Sequence, residues 1–329
     1  MSKNEVYRAL AEQEGQCLSG QELSRRLGIS RAAVWKAVEA LRRQGCDIEA
    51  RPGSGYRLRP GDRLDRLSVE SCLSAPRDHW QVLEEVDSTN TACKRLAAEG
   101  AADGTVVMAD MQTAGKGRRG RHFVSPRGKG LYLSVLWRPE RPAEALLPLT
   151  ALAAVAACRA MERVCSAAPE IKWPNDLVIG RAGEYRKFTG ILTEMRLEET
   201  QIRDVVVGIG INVNETEFSD EIRQSATSLK LALGKRANRA QLTARIWERF
   251  EENYEVFEAA GSLLPLKDAY ETLLVNVGRR VRVLDPQSPF EGTAEGITGT
   301  GELIVRTDEG EIRCVGAGEV SVRGVNGYV

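Results

Sequence analysis

The sequence predicts a multidomain α+β protein, with a winged helix-turn-helix at the N-terminus, a central α/β domain and a small C-terminal β-barrel. Three observations carry that expectation. Residues 21–45 hold two helical stretches split by Gly28-Ile29-Ser30 and followed at once by a hairpin pattern. Residues 81–260 alternate apolar strand runs with helical runs, and from about Asn276 the chain breaks into short strands between Gly, Pro and Asp. At 329 residues the chain is long enough for two or three such units, and we set their limits at 1–64, 65–275 and 276–329.

Taken in order, residues 3–14 place Val6 and Leu10 at helical spacing, with Gly15 as a stop. Leu23 and Leu27 mark a second helix. A third follows Ser30, a good N-cap, with Val34, Val38 and Leu41 on its apolar stripe. The stretch CDIEARPGSGYRLRP then reads as two strands around Pro52-Gly53-Ser54-Gly55, a wing, and PGDRLDRLSVE reads as a linker. In the central unit, Gln81–Val86 is a strand that ends in Asp87-Ser88-Thr89-Asn90, where the small polar residues suit the start of a helix. TVVMAD and GLYLSVLW are strands, 144–165 is an Ala-rich buried helix, and IKWPNDLVIG is a strand, tight turn and strand. KFTGILTEMRLEE is a further strand, with Lys187 in a polar hairpin immediately before its apolar part, which carries Gly190. VVVGIGINVN is a strand apolar enough to be covered on both faces, and Asn238–Ala260 is an amphipathic helix with an Asn-x-x-Gln cap.

Composition narrows the classes of function. Lys plus Arg number 46 and Asp plus Glu number 46, so any basic site is a local patch. Seven scattered cysteines, never in a Cys-x-x-Cys pair, argue against a disulfide framework or structural zinc and suit a reducing cytoplasm. No apolar run approaches a membrane span and the N-terminus lacks a signal core, so we expect a cytoplasmic protein with no membrane partner. With His79 and His122 as its two histidines, the chain has little material for a histidine metal site or a Ser/His/Asp triad.

The helix-turn-helix carries a basic bias from Arg25, Arg31, Lys36, Arg42 and Arg43. We expect operator DNA as its partner, read by Ser30, Arg31, Ala32, Val34 and Lys36 near the start of the third helix. One such helix spans few base pairs, so tight binding calls for a dimer. A second basic concentration lies in the central unit. GKGRRGRHF, Gly115 to Phe123, sets four cations and three glycines between two strands. Glycines let backbone N–H groups approach an anion, and arginines offer forked donors for phosphate or carboxylate. It is not a Walker A loop, because a strand rather than a helix follows. Nearby in type are Lys172-Trp173-Pro174-Asn175-Asp176, with a carboxylate suited to Mg²⁺, then Lys187, Gly190, Gly208, Gly210 and Asn212. Glycine inside a central strand marks a bulge or the close approach of a ligand. Cations, a carboxylate, a flexible loop and no conventional nucleophile together suit chemistry at an α-phosphate, where positioning and charge neutralisation do most of the catalysis.

DSTN, QTAGKGRRGR, KWPND, RKFTG and GIGINVN, in this order and flanked by a winged helix and a small barrel, resemble the bifunctional biotin protein ligase and biotin operon repressor family over essentially the whole chain. The resemblance implies a central ligase domain with a mixed sheet, like that of class II synthetases, and an SH3-like C-terminal barrel. It implies activation of biotin with MgATP to biotinyl-5′-AMP, release of pyrophosphate, and transfer of biotin to one lysine of an acceptor, the biotin carboxyl carrier protein of acetyl-CoA carboxylase. It also implies a homodimer of the adenylate-bound form that represses biotin synthesis genes, with biotin as substrate and corepressor precursor.

By the same resemblance, Ser88, Thr89, Asn90 and Gln112 line the biotin ureido end, with Gly115, Lys116, Gly117 and Arg118 close by and Gly190 giving the ligand room. Lys187, Arg118 and Arg121 carry the catalysis. Lys187 meets the carboxylate or acyl phosphate, and the arginines hold the phosphate. Arg119, Phe123, Asn175, Asn212 and Arg323 complete the nucleotide site, and Asp176 orients Mg²⁺. Lys116 stands where the family more often has arginine, and Phe123 where a tryptophan often closes over adenine. A flexible loop that orders over an acyl adenylate would shield it from water and complete a dimer surface. Two rivals are a lipoate or octanoate protein ligase and a ligand-sensing transcription factor without catalysis. The winged helix and GKGRRGR favour biotin over the first, and Lys187, Arg118 and Asp176 speak against the second.

Overall fold

Helices α1 (Lys3–Ala11), α2 (Gly20–Leu27) and α3 (Arg31–Arg43) form because each has one apolar stripe to bury. Val6, Leu10, Leu23, Val34, Val38 and Leu41 interdigitate in a core of their own. Ser19 and Ser30 cap α2 and α3 by accepting from the backbone N–H groups of Glu22 and Ala33, and Gly28 turns between the helices at φ 64. Strands β1 (Ile48–Arg51) and β2 (Gly55–Leu58) pair antiparallel as the wing. The computed structural model of the chain describes residues 3–13, 15–44, 46–59, 63–139, 147–180, 184–198, 201–285, 288–317 and 321–324.

The segment expected as a linker holds helix α4 (Arg66–Cys72), with residues 60–62 outside the described residues. Asp65 and Ser68 close a reciprocal capping box, a signal that the polarity of the stretch masks. Leu67 packs on the winged-helix core while Val69 and Leu73 enter the central core. From α1, the Arg8 guanidinium donates to the carbonyls of Glu70, Ser71 and Leu73, satisfying acceptors that the end of α4 leaves open. The first two units are therefore joined through a packed helix.

The central sheet contains β3 (Trp80–Leu83), β4 (Val106–Ala109), β5 (Gly130–Trp137), β6 (Glu170–Lys172), β7 (Asp176–Ile179), β8 (Arg186–Glu198) and β9 (Gln201–Asn212). Their spatial order is β3-β4-β5-β9-β8-β7-β6, parallel between β3 and β4 and antiparallel elsewhere. Helices α6 (Leu147–Cys165) and α8 (Arg239–Ala260) cover one face, which takes Leu131, Leu133, Val205, Val207 and Ile209. Because side chains alternate along a strand, the other face takes the even-numbered residues of β5, of β8 from Gly190 to Glu194 and of β9 from Asp204 onward, between the register shifts at either end of β8. Helix α5 (Thr89–Ala98) covers that face over Val107, Leu136 and Val206. Beyond the N-terminus of α5 the same face is Tyr132, Ser134, Gly190, Gly208 and Gly210, and there the site forms. Short helices α7 (Leu229–Leu233) and α9 (Lys267–Leu273) border the sheet.

The C-terminal unit is an antiparallel sheet of β10 (Arg280–Leu284), β11 (Phe290–Ile297), β12 (Leu303–Thr307), β13 (Ile312–Val315) and β14 (Ser321–Gly324), in the order β13-β12-β11-β10-β14. Trp173 ties it to the central unit. Its backbone N–H donates to Asn276 Oδ1 at 2.8 Å and its buried indole to the Gly301 carbonyl at 3.1 Å. Among the described residues no helix is long and apolar enough to cross a membrane.

Candidate active site

Two cavities meet at the open end of the sheet. The inner one, about 50 Å³, is walled by Ser88, Thr89, Gln112, Tyr132 and the strands around Gly190, Gly208 and Gly210. The outer one, about 360 Å³, runs from Arg118 and Arg121 past Lys172 and Asp176 to Arg323 of the C-terminal sheet. Gly117, Arg118, Phe123, Asn175 and Lys187 line both, so the two make one cleft with a deep polar end and a cationic mouth.

The floor is glycine for a reason that can be measured. A Cβ on Gly208 would lie 2.0 Å from Asn90 Oδ1, and one on Gly210 would lie 2.9 Å from the Phe123 ring. On Gly190 it would meet Lys187 Nζ at 3.3 Å. Gly190 faces Gly210 across β8 and β9, so the bare backbone is continuous over two strands.

At the deep end a chain of hydrogen bonds fixes the wall. The carboxylate of Glu194 accepts from Lys94 at 2.7 Å and from Asn90 Nδ2 at 2.9 Å, and Asn90 Oδ1 accepts from Ser134 at 2.6 Å. Burial pushes the Glu194 carboxyl up, yet the bonds from Lys94 and Asn90 outweigh it and hold it below its ordinary value. Gln112 Oε1 accepts from both the backbone N–H and the hydroxyl of Thr89, and Gln112 Nε2 donates to Ser125, which donates to the Phe123 carbonyl. Gln112 thus caps α5, which leaves the Ser88 hydroxyl, at the N-cap position but making no cap bond, facing the pocket. Asn90 has both ends of its amide engaged in the wall. It shapes the pocket, whereas Ser88 keeps polar capacity to offer.

The GKGRRGRHF loop folds back on itself. Gly117 N–H donates to Arg121 O at 2.7 Å, Phe123 N–H to Gly115 O at 2.9 Å, and Arg119 turns at φ 59. Gly115 lies behind the wall rather than on it: a Cβ there would sit 2.3 Å from the Phe123 carbonyl. The Arg118 guanidinium donates to Asn175 Oδ1 at 3.2 Å and to the Ala317 carbonyl, joining loop, KWPND turn and C-terminal sheet. Burial lowers its pKa, with Asp176 opposing and Arg119 and Arg121 adding to the shift. The Phe123 ring lies over the glycine floor and meets Tyr132 edge-on at 6.4 Å.

Lys187 is the second residue of β8 rather than part of a preceding hairpin: it pairs with Val178 of β7, and its N–H donates to the Ser225 carbonyl while its C=O accepts from the Thr227 N–H. Its ammonium lies 2.6 Å from Asp176 Oδ1. Lys172, which the sequence reading left unassigned, is buried in the same cleft. Burial, together with Arg323, Lys187 and Arg121 and against Asp176, brings its pKa down to about 8. Asn212 donates to the Thr227 carbonyl at 3.2 Å and lines the outer cavity with Phe218 and Ile222. Among the described residues no group of three His, Cys, Asp or Glu is placed to hold a metal, and Asp176 is ion-paired to Lys187. These residues do not form a cage for a resident ion.

In the winged helix, Ser30, Arg31, Ala32 and Lys36 are exposed, but Val34 is not. It is fully buried between Leu23 and Val38 in the three-helix core, so it cannot reach a base. Its place on the exposed face is taken by Trp35. Spacing alone shows which residues share a face and not which face the core claims.

The residues expected at the biotin end converge apart from Gly115, and those expected at the nucleotide converge along the outer cavity. Sequence reasoning missed Ser134, Glu194 and Lys94, whose even-numbered strand positions and ion pair become legible only once the strand neighbours are known.

Comparison with known proteins agrees with this geometry. The chain matches the Biotin/lipoate A/B protein ligase family over residues 82–212, an HTH domain over 3–57 and the Biotin protein ligase C terminal domain over 277–323. It is 37% identical to the bifunctional ligase/repressor BirA of Bacillus subtilis over 314 residues, covering 94% of this chain and 95% of that protein. The Escherichia coli BirA is 31% identical over 310 residues, with 94% of each covered. The structure of the Aquifex aeolicus biotin protein ligase in complex with biotin and ATP superposes with a TM-score of 0.65 and 32% identity, over 75% of this chain and 100% of that one.

Proposed function

We propose a mechanism from the premise that this chain belongs to the biotin/lipoate A/B protein ligase family, as a bifunctional ligase/repressor. It is an ATP-dependent biotin–protein ligase with a DNA-binding repressor domain. Biotin and ATP combine to biotinyl-5′-AMP with loss of pyrophosphate. An acceptor lysine amine then attacks the acyl carbonyl, forming the amide C–N bond and releasing AMP. The observation that carries this reading is the single cleft: a small polar pocket over a glycine floor, opening through Lys187 and Arg118 into a cationic channel.

Within it we assign Ser88, Thr89 and Gln112 to the ureido group, with Asn90 holding the wall and Gly190, Gly208 and Gly210 admitting the rings. Lys116 and the Gly117 backbone close the side, with Gly115 behind them. Lys187 sits where the biotin carboxylate meets the α-phosphorus, and a fixed ammonium there stabilises charge as the carboxylate attacks. Arg118, Arg121 and Lys172 line the phosphates, Arg119 and Arg323 the outer end, and Asn175 orients Arg118. Phe123, Asn212 and the apolar Phe218 and Ile222 suit the adenosine. Mg²⁺ enters on the nucleotide as part of the substrate, with Asp176 the carboxylate we place beside it. The divisions at residues 64 and 275, an SH3-like C-terminal barrel, cytoplasmic residence, a carboxyl carrier protein as acceptor and an adenylate-dependent homodimer on operator DNA belong to the same reading.

Biotin-dependent exchange of labelled pyrophosphate into ATP tests it. We expect exchange with biotin at least a hundredfold above that with lipoate. Exchange with lipoate and none with biotin would assign the cleft to the rival substrate.

A further inference from the structure

Trp35 is 56% exposed, and among the described residues up to 58 it is the one large hydrophobic side chain left open to solvent. On a helix of 3.6 residues per turn, Arg31, Trp35, Ala32 and Lys36 share an arc of about 140° over the first turn and a half, outside the arc of the buried Val34, Val38 and Leu41. Ser30 caps this end of α3, the end that enters the major groove in a helix-turn-helix. The charges around Trp35 decide what it faces. Arg25 is paired with Glu22, Arg26 with Glu12 and Arg42 with Glu39, while Arg51, Arg57 and Arg59 of the wing all converge on Glu49. Arg31, Lys36 and, at the far end of α3, Arg43 have no such partner among the described residues, so the indole sits between two available cations where most neighbouring arginines are neutralised. A polyanion with an apolar feature in its groove complements that arrangement.

We propose that Trp35 reads sequence in operator DNA by packing its indole against a thymine C5-methyl in the major groove, with Arg31 and Lys36 on flanking phosphates. The thymine methyl is the apolar group that base edges present there, so an indole inserted among polar edges gains most by covering it. Ala32, beside Trp35, lets the helix backbone approach closely. The inference rests on the repressor reading of the first domain, and goes beyond it in assigning specificity to one residue.

The test uses the full chain with biotin and ATP, a pool of duplexes with a randomised centre, and fluorescence anisotropy on the duplex that wild type enriches. Trp35→Ala should loosen that duplex at least tenfold, keep its biotin-dependent pyrophosphate exchange, and leave unchanged the slope of log affinity against log salt. In the dimer, Arg31→Ala and Lys36→Ala each remove one phosphate contact per half-site, two per complex, and should each reduce that slope by about 1.8. Replacing thymines with deoxyuridine one at a time should cost wild type about fourfold at one position per half-site, the loss of one buried methyl, and cost Trp35→Ala nothing there. Equal deoxyuridine costs in both proteins, or a Trp35→Ala variant that binds as tightly as wild type or is altered in dimerisation alone, would overturn the proposal. Wild type that enriches no sequence and binds no duplex would overturn the repressor reading and this inference with it.

Discussion

Two hairpins of this chain are rich in arginine and glycine, and the fold treats them in opposite ways. In the wing, ARPGSGYRLR, three arginines surround one carboxylate: Glu49 lies 2.7 Å from Arg57, 3.3 Å from Arg51 and 3.5 Å from Arg59. In GKGRRGRHF no carboxylate answers the arginines within the hairpin. Arg118 donates instead to carbonyl oxygens of Asn175 and Ala317, and Asp176, the carboxylate that acts on its charge, is paired with Lys187. Similar composition gives a screened surface ribbon in one place and a cationic, half-buried cleft in the other. An anion site depends on where the fold sets its cations, and counting arginines along the sequence does not find it.

The contrast can be broken most sharply at Lys187. Lys187→Ala should lower the rate of adenylate formation about 10²–10³-fold, the scale expected when one charge-stabilising donor is removed, while non-specific DNA binding stays the same. Single-turnover adenylation beside a gel shift reads both, and a rate within fivefold of wild type would remove the role assigned to it.

The glycines sharpen it next. Gly208→Ala puts a methyl 2.0 Å from Asn90 Oδ1, so the wall must move and the KM for biotin should rise more than tenfold. In the wing, Gly53 at φ 76 has nothing within 4 Å of an added Cβ. Gly53→Ala should therefore cost only the backbone strain of a left-handed residue, about 1–2 kcal/mol of stability, with ligase activity intact. If both variants behave alike in titrations with biotin, the glycine floor is not a ligand surface.

Lys172 comes third. Between pH 8 and the ordinary lysine value the unfolded chain keeps a proton that the folded chain has released, so stability rises with pH across that window. Lys172→Met should accordingly raise the melting temperature of the ligand-free protein at pH 7 and flatten that rise, yet weaken ATP several-fold. In wild type, ATP affinity should fall as pH climbs through 8, since the phosphates favour the charged lysine. Calorimetric titrations at pH 7 and 9 that give equal ATP affinity would place the phosphates elsewhere. The smallest effect belongs to Glu49→Gln, which releases Arg51, Arg57 and Arg59 from their shared partner. Stability should change little, because exposed ion pairs contribute little. Non-specific duplex binding should steepen its salt slope by about 1 to 2, as one or two of those arginines turn to phosphate.

Much of this site was legible beforehand, and the reasons differ residue by residue. Ser88, Gln112, Arg118, Asn175 and Lys187 sat in motifs whose residue types already pointed to anion chemistry, and they converge. Lys172 lay in one of those motifs and was passed over, because nothing in KWPND says that its lysine is turned inward beside Lys187. Ser134 and Glu194 were invisible, since they matter through Asn90, which lies 44 and 104 residues away along the chain. Val34 failed for the complementary reason. Helical spacing made it a neighbour of the reading face, but the three-helix core claimed its side, and Trp35 took the exposed position. The linker before residue 73 failed because a charged surface concealed Leu67, Val69 and Leu73, apolar residues that serve two cores at once.

By itself the sequence determined the order of the units, the strand and helix types, and the motifs that supply the chemistry. These follow from local preference and from periods of two and 3.6 residues, which a chain carries whether folded or not. Tertiary structure alone decided which cations share a cleft and which polar groups support one another. It also decided that Gly190, Gly208 and Gly210 form a floor and that one packed helix joins the DNA-binding unit to the ligase. Those are properties of distance, and pairs such as Arg118 with Ala317, 199 residues apart in the chain, acquire a distance only when the chain has folded.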